Sequence, residues 1–242
     1  MINPLGPSLM SVLGVSVCLG SCALYVPTVT DGLVTQCLTP MDQANTFLHR
    51  WNQLPITIQF EVSPAFNAAE VALIIAAADT WNTFYQSSKQ VQLFNYGTNP
   101  LLPNSTQTTP QLGVISKSGT IVKMASWPYS AAVIALTTTW PSGTGAPVLG
   151  AKIELNYVNF FQTNKMPDLQ SILLHEFGHL MGLDHSCEPN SQKSGMPDCN
   201  GHISVQYRRA SLYPSFGFDT YGNGEQRRKL NSNDQGRANC IY

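Results

Sequence analysis

Three histidines and one glutamate fall within eleven residues, His175-Glu176-Phe177-Gly178-His179-Leu180-Met181-Gly182-Leu183-Asp184-His185. Side chains four apart lie on one face of a helix, so His175 and His179 can offer two imidazole nitrogens to a single cation, and zinc suits that pair. A third nitrogen cannot come from the same face, so the helix must stop and the chain must turn. Gly182 stands where it should stop, since glycine accepts the left-handed backbone that ends helices. The turn brings His185 back as a third ligand. Three protein ligands leave a tetrahedral ion one open position, the mark of a catalytic rather than a structural zinc. Glu176 follows the first ligand and points beside the metal, where a carboxylate can take a proton from water.

A helix must carry the first two ligands. Asp168 is its expected cap, and Leu169, Ile172, Leu173, Phe177 and Leu180 recur at core-facing spacing. Phe177 and Met181 read as packing rather than as substrate contacts. A second helix is expected over 67–85, where Val71, Ile74, Ile75, Ala78, Trp81 and Phe84 keep helical period, with Ser63 or Asn67 as cap. Ile56-Thr57-Ile58-Gln59-Phe60 alternates as a half-buried strand does. Further strands are expected at 112–116, 120–124, 132–138 and 151–157, the last two forming a hairpin across the loop sequence Pro141-Ser142-Gly143-Thr144-Gly145-Ala146-Pro147. A short helix is expected within 41–53, an exposed loop over 95–111 with a glycosylation sequon at Asn104, and a terminal helix over 230–242 opened by Asn231 or Ser232.

The form H-E-F-G-H-L-M-G-L-D-H-S resembles the zinc site of the metzincin metalloproteases, most closely the matrixin branch. The resemblance implies an α+β fold with a twisted mixed sheet, an N-terminal-half helix and an active-site helix above a cleft, and a small irregular C-terminal part ending in a helix. It implies peptide-bond hydrolysis, with His175, His179 and His185 as ligands of one Zn2+ and Glu176 as general base and acid. The strand at 132–138 is the segment assigned to the cleft edge, a buried core strand being the alternative. Metzincins also carry a methionine in a tight turn beneath the zinc. Met196, in Ser194-Gly195-Met196-Pro197, is the sole methionine after His185 and so the candidate, although matrixins place one residue between that Met and the following Pro. Asp198 stands where some relatives have a metal-binding tyrosine, so no tyrosine ligand is assigned. Asp234 matches an acidic residue that supports the turn. His49 and His202 are too few for the extra structural zinc of many matrixins, and no cysteine-switch segment supports latency.

Length 242 fits one catalytic domain at 51–242, divided into an upper part at 51–182 and a lower part at 183–242, behind a segment at 22–50. Charged residues make up 11%, against roughly 25% in average proteins, and the net charge of -1 gives no basic face for nucleic acid. Residues 1–21 read as an export signal, although no Lys or Arg precedes Arg50. Leu19-Gly20-Ser21-Cys22 resembles a bacterial lipobox, which would attach the protein to a membrane through Cys22; the alternative is that Cys22 is a small residue of the signal. Four more cysteines, Cys37, Cys187, Cys199 and Cys240, suggest two disulfides in an exported chain, with three connectivities open and Cys187–Cys199 with Cys37–Cys240 preferred.

Tyr207, Leu212, Tyr213 and Phe216 are candidates for the pocket wall, Arg208, Arg209, Arg227, Arg228 and Lys229 for a solvated face. Asp219 to Glu225 has oxygens for calcium, but a Gly/Asn turn explains it as well. The expected protein is a monomeric, exported zinc endopeptidase acting on protein or peptide. Two rivals remain from sequence: a surface-anchored zinc-containing binding or adhesion protein, and a zinc amidase acting on cell-wall peptides.

Overall fold

Apolar and polar residues alternate through Ile56–Phe60, and in the computed structural model that stretch is β2, following the two-residue β1 (Arg50–Trp51). The structure describes residues 32–60, 66–96, 118–140, 147–162, 164–201 and 203–242. The export signal, Cys22, Ser63, Asn104, the strand expected at 112–116 and His202 lie outside these residues, as does the loop at 141–146.

Next come α1 (Ala68–Lys89), β3 (Phe94–Tyr96), β4 (Ser118–Lys123), β5 (Ala135–Trp140), β6 (Pro147–Val148), β7 (Gly150–Leu155), α2 (Leu169–Met181), α3 (Val205–Arg208) and α4 (Ser232–Ala238). Five strands form one sheet in the order β3-β2-β4-β7-β5, and β1 pairs separately with β6. β2, β3, β4 and β7 run parallel, which requires crossovers, and α1 supplies the one between β2 and β3. β5 runs antiparallel to β7, with Thr137 opposite Ile153, and ends the sheet. The mixed α+β arrangement expected from the sequence is the one present.

α1 begins with a capping box: the Asn67 side chain accepts from the Glu70 amide and the Glu70 carboxylate accepts from the Asn67 amide. Ile74, Ala77, Ala78 and Trp81 are buried against Ile58, Ile121, Ile153 and Leu155 of the sheet and Leu173 and Phe177 of α2. The Trp81 indole donates to the Leu174 carbonyl at 3.0 Å, fixing α1 against α2.

Asp168 caps α2 by accepting from the Ser171 amide at 3.0 Å, and Arg228 holds the same carboxylate through its Nε at 2.9 and 3.1 Å. Burial raises the Asp168 pKa, but the Arg228 and Ser171 bonds outweigh it and leave the carboxyl below its usual value. A depressed folded pKa contributes stability above the unfolded pKa of about 3.9 and loses it as pH falls through the folded value. Asp168→Asn keeps a capping side chain and removes the ion pair. It should therefore unfold more easily in urea at pH 6, by up to about 1 kcal/mol, and the gap should close as pH falls through the lowered folded pKa. A gap independent of pH would refute this account.

Several expectations need correction. The helix expected in 41–53 is a 3-10 turn, Met41–Gln43, followed by β1. Pro40 starts it and Thr46 caps the Gln43 carbonyl at 2.7 Å, leaving the following residues to pair with other parts of the chain. The hairpin strands are Ala135–Trp140 and Gly150–Leu155, shifted from 132–138 and 151–157, because the register between them ends at Leu155 and Trp140. Residues 95 and 96, expected at the start of the exposed loop, belong to β3 instead. The terminal helix is shorter, Ser232–Ala238, with Asn231 as cap and Asp234 completing its box. Disulfides join Cys37 to Cys240 and Cys187 to Cys199.

Candidate active site

α2 is apolar on the face toward the sheet and carries His175 and His179 one turn apart. The His175 Nδ1 lies 2.7 Å from the Ser211 carbonyl and the His179 Nδ1 lies 2.8 Å from the Leu183 carbonyl. A carbonyl can only accept, so both Nδ1 atoms carry the proton and both Nε2 atoms present lone pairs. Those Nε2 atoms are 3.0 Å apart. Two lone pairs do not approach so closely without a shared proton or cation between them. Burial, then the neighbouring His179 and His185, push the His175 basicity well below normal, and burial with His179 and Arg237 brings that of His185 to about 3. One nitrogen from each of His175, His179 and His185 lies within 4.8 Å of the others. The donor set and its fixed tautomers fit a divalent metal such as zinc.

Gly182 ends α2 with φ at 124°, its amide donating to the carbonyls of Gly178 and His179. The chain then turns, and the Asp184 side chain accepts from the His185 amide at 2.8 Å. Glu176 is 5% exposed. Its Oε2 accepts from the Thr137 hydroxyl on β5 at 2.6 Å. Burial pushes its carboxyl up, against the opposing pull of His179 and Thr137.

These groups open into a cleft of about 720 Å³. One wall is residues 132–137 and Thr139, the other is α2 with Ile172, and the floor rises to Pro214, Ser215, Phe216 and Phe218. Leu48 and His49 also line the cleft. β5 has β7 on one side and no strand among the described residues on the other.

The turn beneath the histidines is not the one at Met196. Met196 is buried, in a turn closed by its amide on the Lys193 carbonyl at 3.1 Å, and it does not line the cleft. The neighbouring Gly195 carbonyl takes the Asn45 amide at 2.9 Å, so that turn faces the N-terminal segment. The segment under α2 is 210–214. Ser211 accepts from His175, the buried Leu212 packs where a side chain on Gly178 would meet its Cδ atoms, and the Leu212 carbonyl takes the Ser186 amide at 2.9 Å. Asp234 accepts from the amides of Ser211 at 2.8 Å and Leu212 at 3.3 Å. Leucine thus occupies the place where methionine was expected, with one residue, Tyr213, before Pro214.

Of the pocket-wall candidates, Phe216 lines the cleft. Tyr207 is buried and donates to Asp42 at 2.8 Å, Leu212 lies under α2, and Tyr213 packs on Arg227. Arg227 is not solvated. Its guanidinium donates to the carbonyls of Tyr213 at 3.2 Å and Ser215 at 2.7 Å and stacks on Phe216, stiffening the wall. Asp219 accepts from the Tyr221 and Asn223 amides at 2.8 Å, so the expected turn takes up its oxygens. Thr137 was not singled out from sequence, its one available sign being a threonine within the strand assigned to the cleft edge, and Arg227 was expected only as part of a solvated basic face.

Residues 69–196, more than half of the chain, match the matrixin model of the M10 peptidases. The chain belongs to the matrixin family. No curated protein matches it. A matrixin is a zinc-dependent peptidase in its general chemistry, and the matched region of this matrixin runs from α1 through the three converging histidines.

Proposed function

We propose that this matrixin is an exported zinc endopeptidase in which His175, His179 and His185 hold the metal and Glu176 moves the proton. The observation that carries the reading is the convergence of the three histidines beside a buried glutamate, in a cleft bounded by β5, whose outer side has no strand beside it among the described residues. When bound, zinc supplies Lewis acidity to a water and to the scissile carbonyl. Glu176 accepts the proton of the attacking water and returns it to the leaving amine. Thr137 holds the carboxylate toward the cleft, and β5 offers backbone N–H and C=O groups to an extended peptide. Export is supported by the two disulfides, which persist in oxidising compartments.

The test is zinc stoichiometry and casein cleavage by the full chain, before and after chelation. One zinc per chain, with cleavage lost on chelation and regained on zinc addition, is expected. Tight zinc binding without cleavage of casein or of any member of a broad peptide library would sink the endopeptidase reading.

Thr137→Val removes the hydroxyl at Glu176 with little change in shape. A hydrogen bond to a charged group contributes about 1.5–3 kcal/mol, so kcat should fall roughly 10-fold or more with KM little changed. An unaltered kcat would show that Glu176 is oriented without it.

A further inference from the structure

His175 and His179 stand on a helix, but His185 stands on a loop, and a loop ligand must be held by something else. Buried polar side chains from both ends of the chain grip that loop. Gln43 is fully buried in the 3-10 turn, where its Nε2 donates to the Ser186 carbonyl at 2.6 Å and its Oε1 accepts from Asn233 at 2.6 Å. Arg237, fully buried on α4, donates through Nη1 to the carbonyls of Asp184 at 3.0 Å and His185 at 3.4 Å, and through Nε to Asn233 at 3.2 Å. Asn233 therefore couples the two. The backbone of the N-terminal segment adds to the grip: the Asp184 amide donates to the Thr46 carbonyl at 2.8 Å and the Leu48 amide to the Gly182 carbonyl at 2.9 Å.

A buried guanidinium is costly, and apolar residues of similar volume often fill such a place at no loss of stability. Its location is what gives it meaning. Arg237 sits next to its ion-pair partner Asp234, 4.0 Å away, and Asp234 holds the Ser211 turn that fixes the His175 ring. One buried pair on α4 thus reaches the backbone behind two of the three histidines.

We propose that Gln43 and Arg237 are positioning residues for His185, holding the 184–186 backbone so that the third imidazole meets the other two. The inference rests on the zinc reading above. Groups that orient ligands from behind typically change metal affinity by about 10–100-fold.

The test uses the full chain with Gln43→Met, which keeps length and loses both hydrogen bonds, and Arg237→Lys, which keeps the charge and reaches fewer carbonyls. Zinc affinity is read by competition with a chromophoric chelator, ligand geometry from the visible absorption of the Co2+ form, and turnover as kcat and KM separately. Gln43→Met should weaken zinc binding about 10-fold or more, alter the Co2+ spectrum, and lower kcat with KM nearly constant, while circular dichroism of the zinc-free protein stays that of the parent. Arg237→Lys should fall between the two. Folded Gln43→Met with parental affinity and Co2+ spectrum overturns the proposal, and decides it alone should Arg237→Lys fail to fold. A parent that itself holds no zinc overturns the underlying reading and this inference together, which keeps the two failures distinct.

Discussion

Replacing Glu176 by glutamine is expected to leave one zinc per chain and to lower kcat by roughly 10²–10⁴-fold, the usual contribution of general acid-base catalysis. Glutamine has nearly the same shape and its carbonyl oxygen can still accept the Thr137 hydroxyl, now at 2.6 Å from Oε2. The side chain stays in its buried place between β5 and α2, and none of the histidine contacts to Ser211 and Leu183 is touched. Only the capacity to take a proton is removed. Zinc content, Co2+ spectrum and KM should match the parent while turnover collapses. Residual cleavage near the parental rate would mean that another group moves the proton, and the assignment of Glu176 would have to be abandoned.

Gly182→Ala should destabilise the protein by at least about 3 kcal/mol, or prevent folding, since two separate mechanisms act at one position. A Cβ there would lie 1.9 Å from the His49 carbonyl oxygen and 2.9 Å from its carbon. Both are backbone atoms, so no rotamer change relieves the overlap. The φ of 124° is also one that side chains with a Cβ rarely adopt. Gly178→Ala is the informative comparison: its Cβ would meet the Leu212 side chain, 2.6 Å from the nearest atom, and a side chain can move. Thermal unfolding of both variants, with and without zinc, checks the contrast. In any folded fraction of Gly182→Ala, zinc affinity should fall, since the Leu48 bond and the path to His185 both start at this residue. A variant as stable as the parent would show that the end of α2 tolerates a shift.

The elements that position the site were legible where periodicity and capping agreed. α2 is read from Asp168, from its apolar spacing and from Gly182, and α1 from its alanine-rich core face and Asn67. Partner-dependent features were not legible. β1, β3 and β6 are two or three residues long, and each is a strand only because of the strand beside it. The expected helix at 41–53 failed because Thr46 and Leu48 bond to residues near 182–184, far away in sequence. The turn beneath the site was not legible for a chemical reason: a methionine marks that turn in the family, and Leu212 carries no sulfur. Its spacing before Pro214, together with Asp234, was the readable sign. Arg227 looked solvated because it belongs to a basic run, whereas its two carbonyl partners become neighbours only in the folded chain.

The Cys37–Cys240 bond, with its Cα atoms 4.6 Å apart, also has a mechanical meaning. Tension applied between the two termini would pass from one cysteine to the other through a single covalent link, and the sheet, α2 and the cleft would lie outside the line of force. A single cut anywhere in the enclosed chain, which spans a separation of 203 residues, would likewise leave its two pieces joined. The domain can be pulled or nicked from outside without its ends parting.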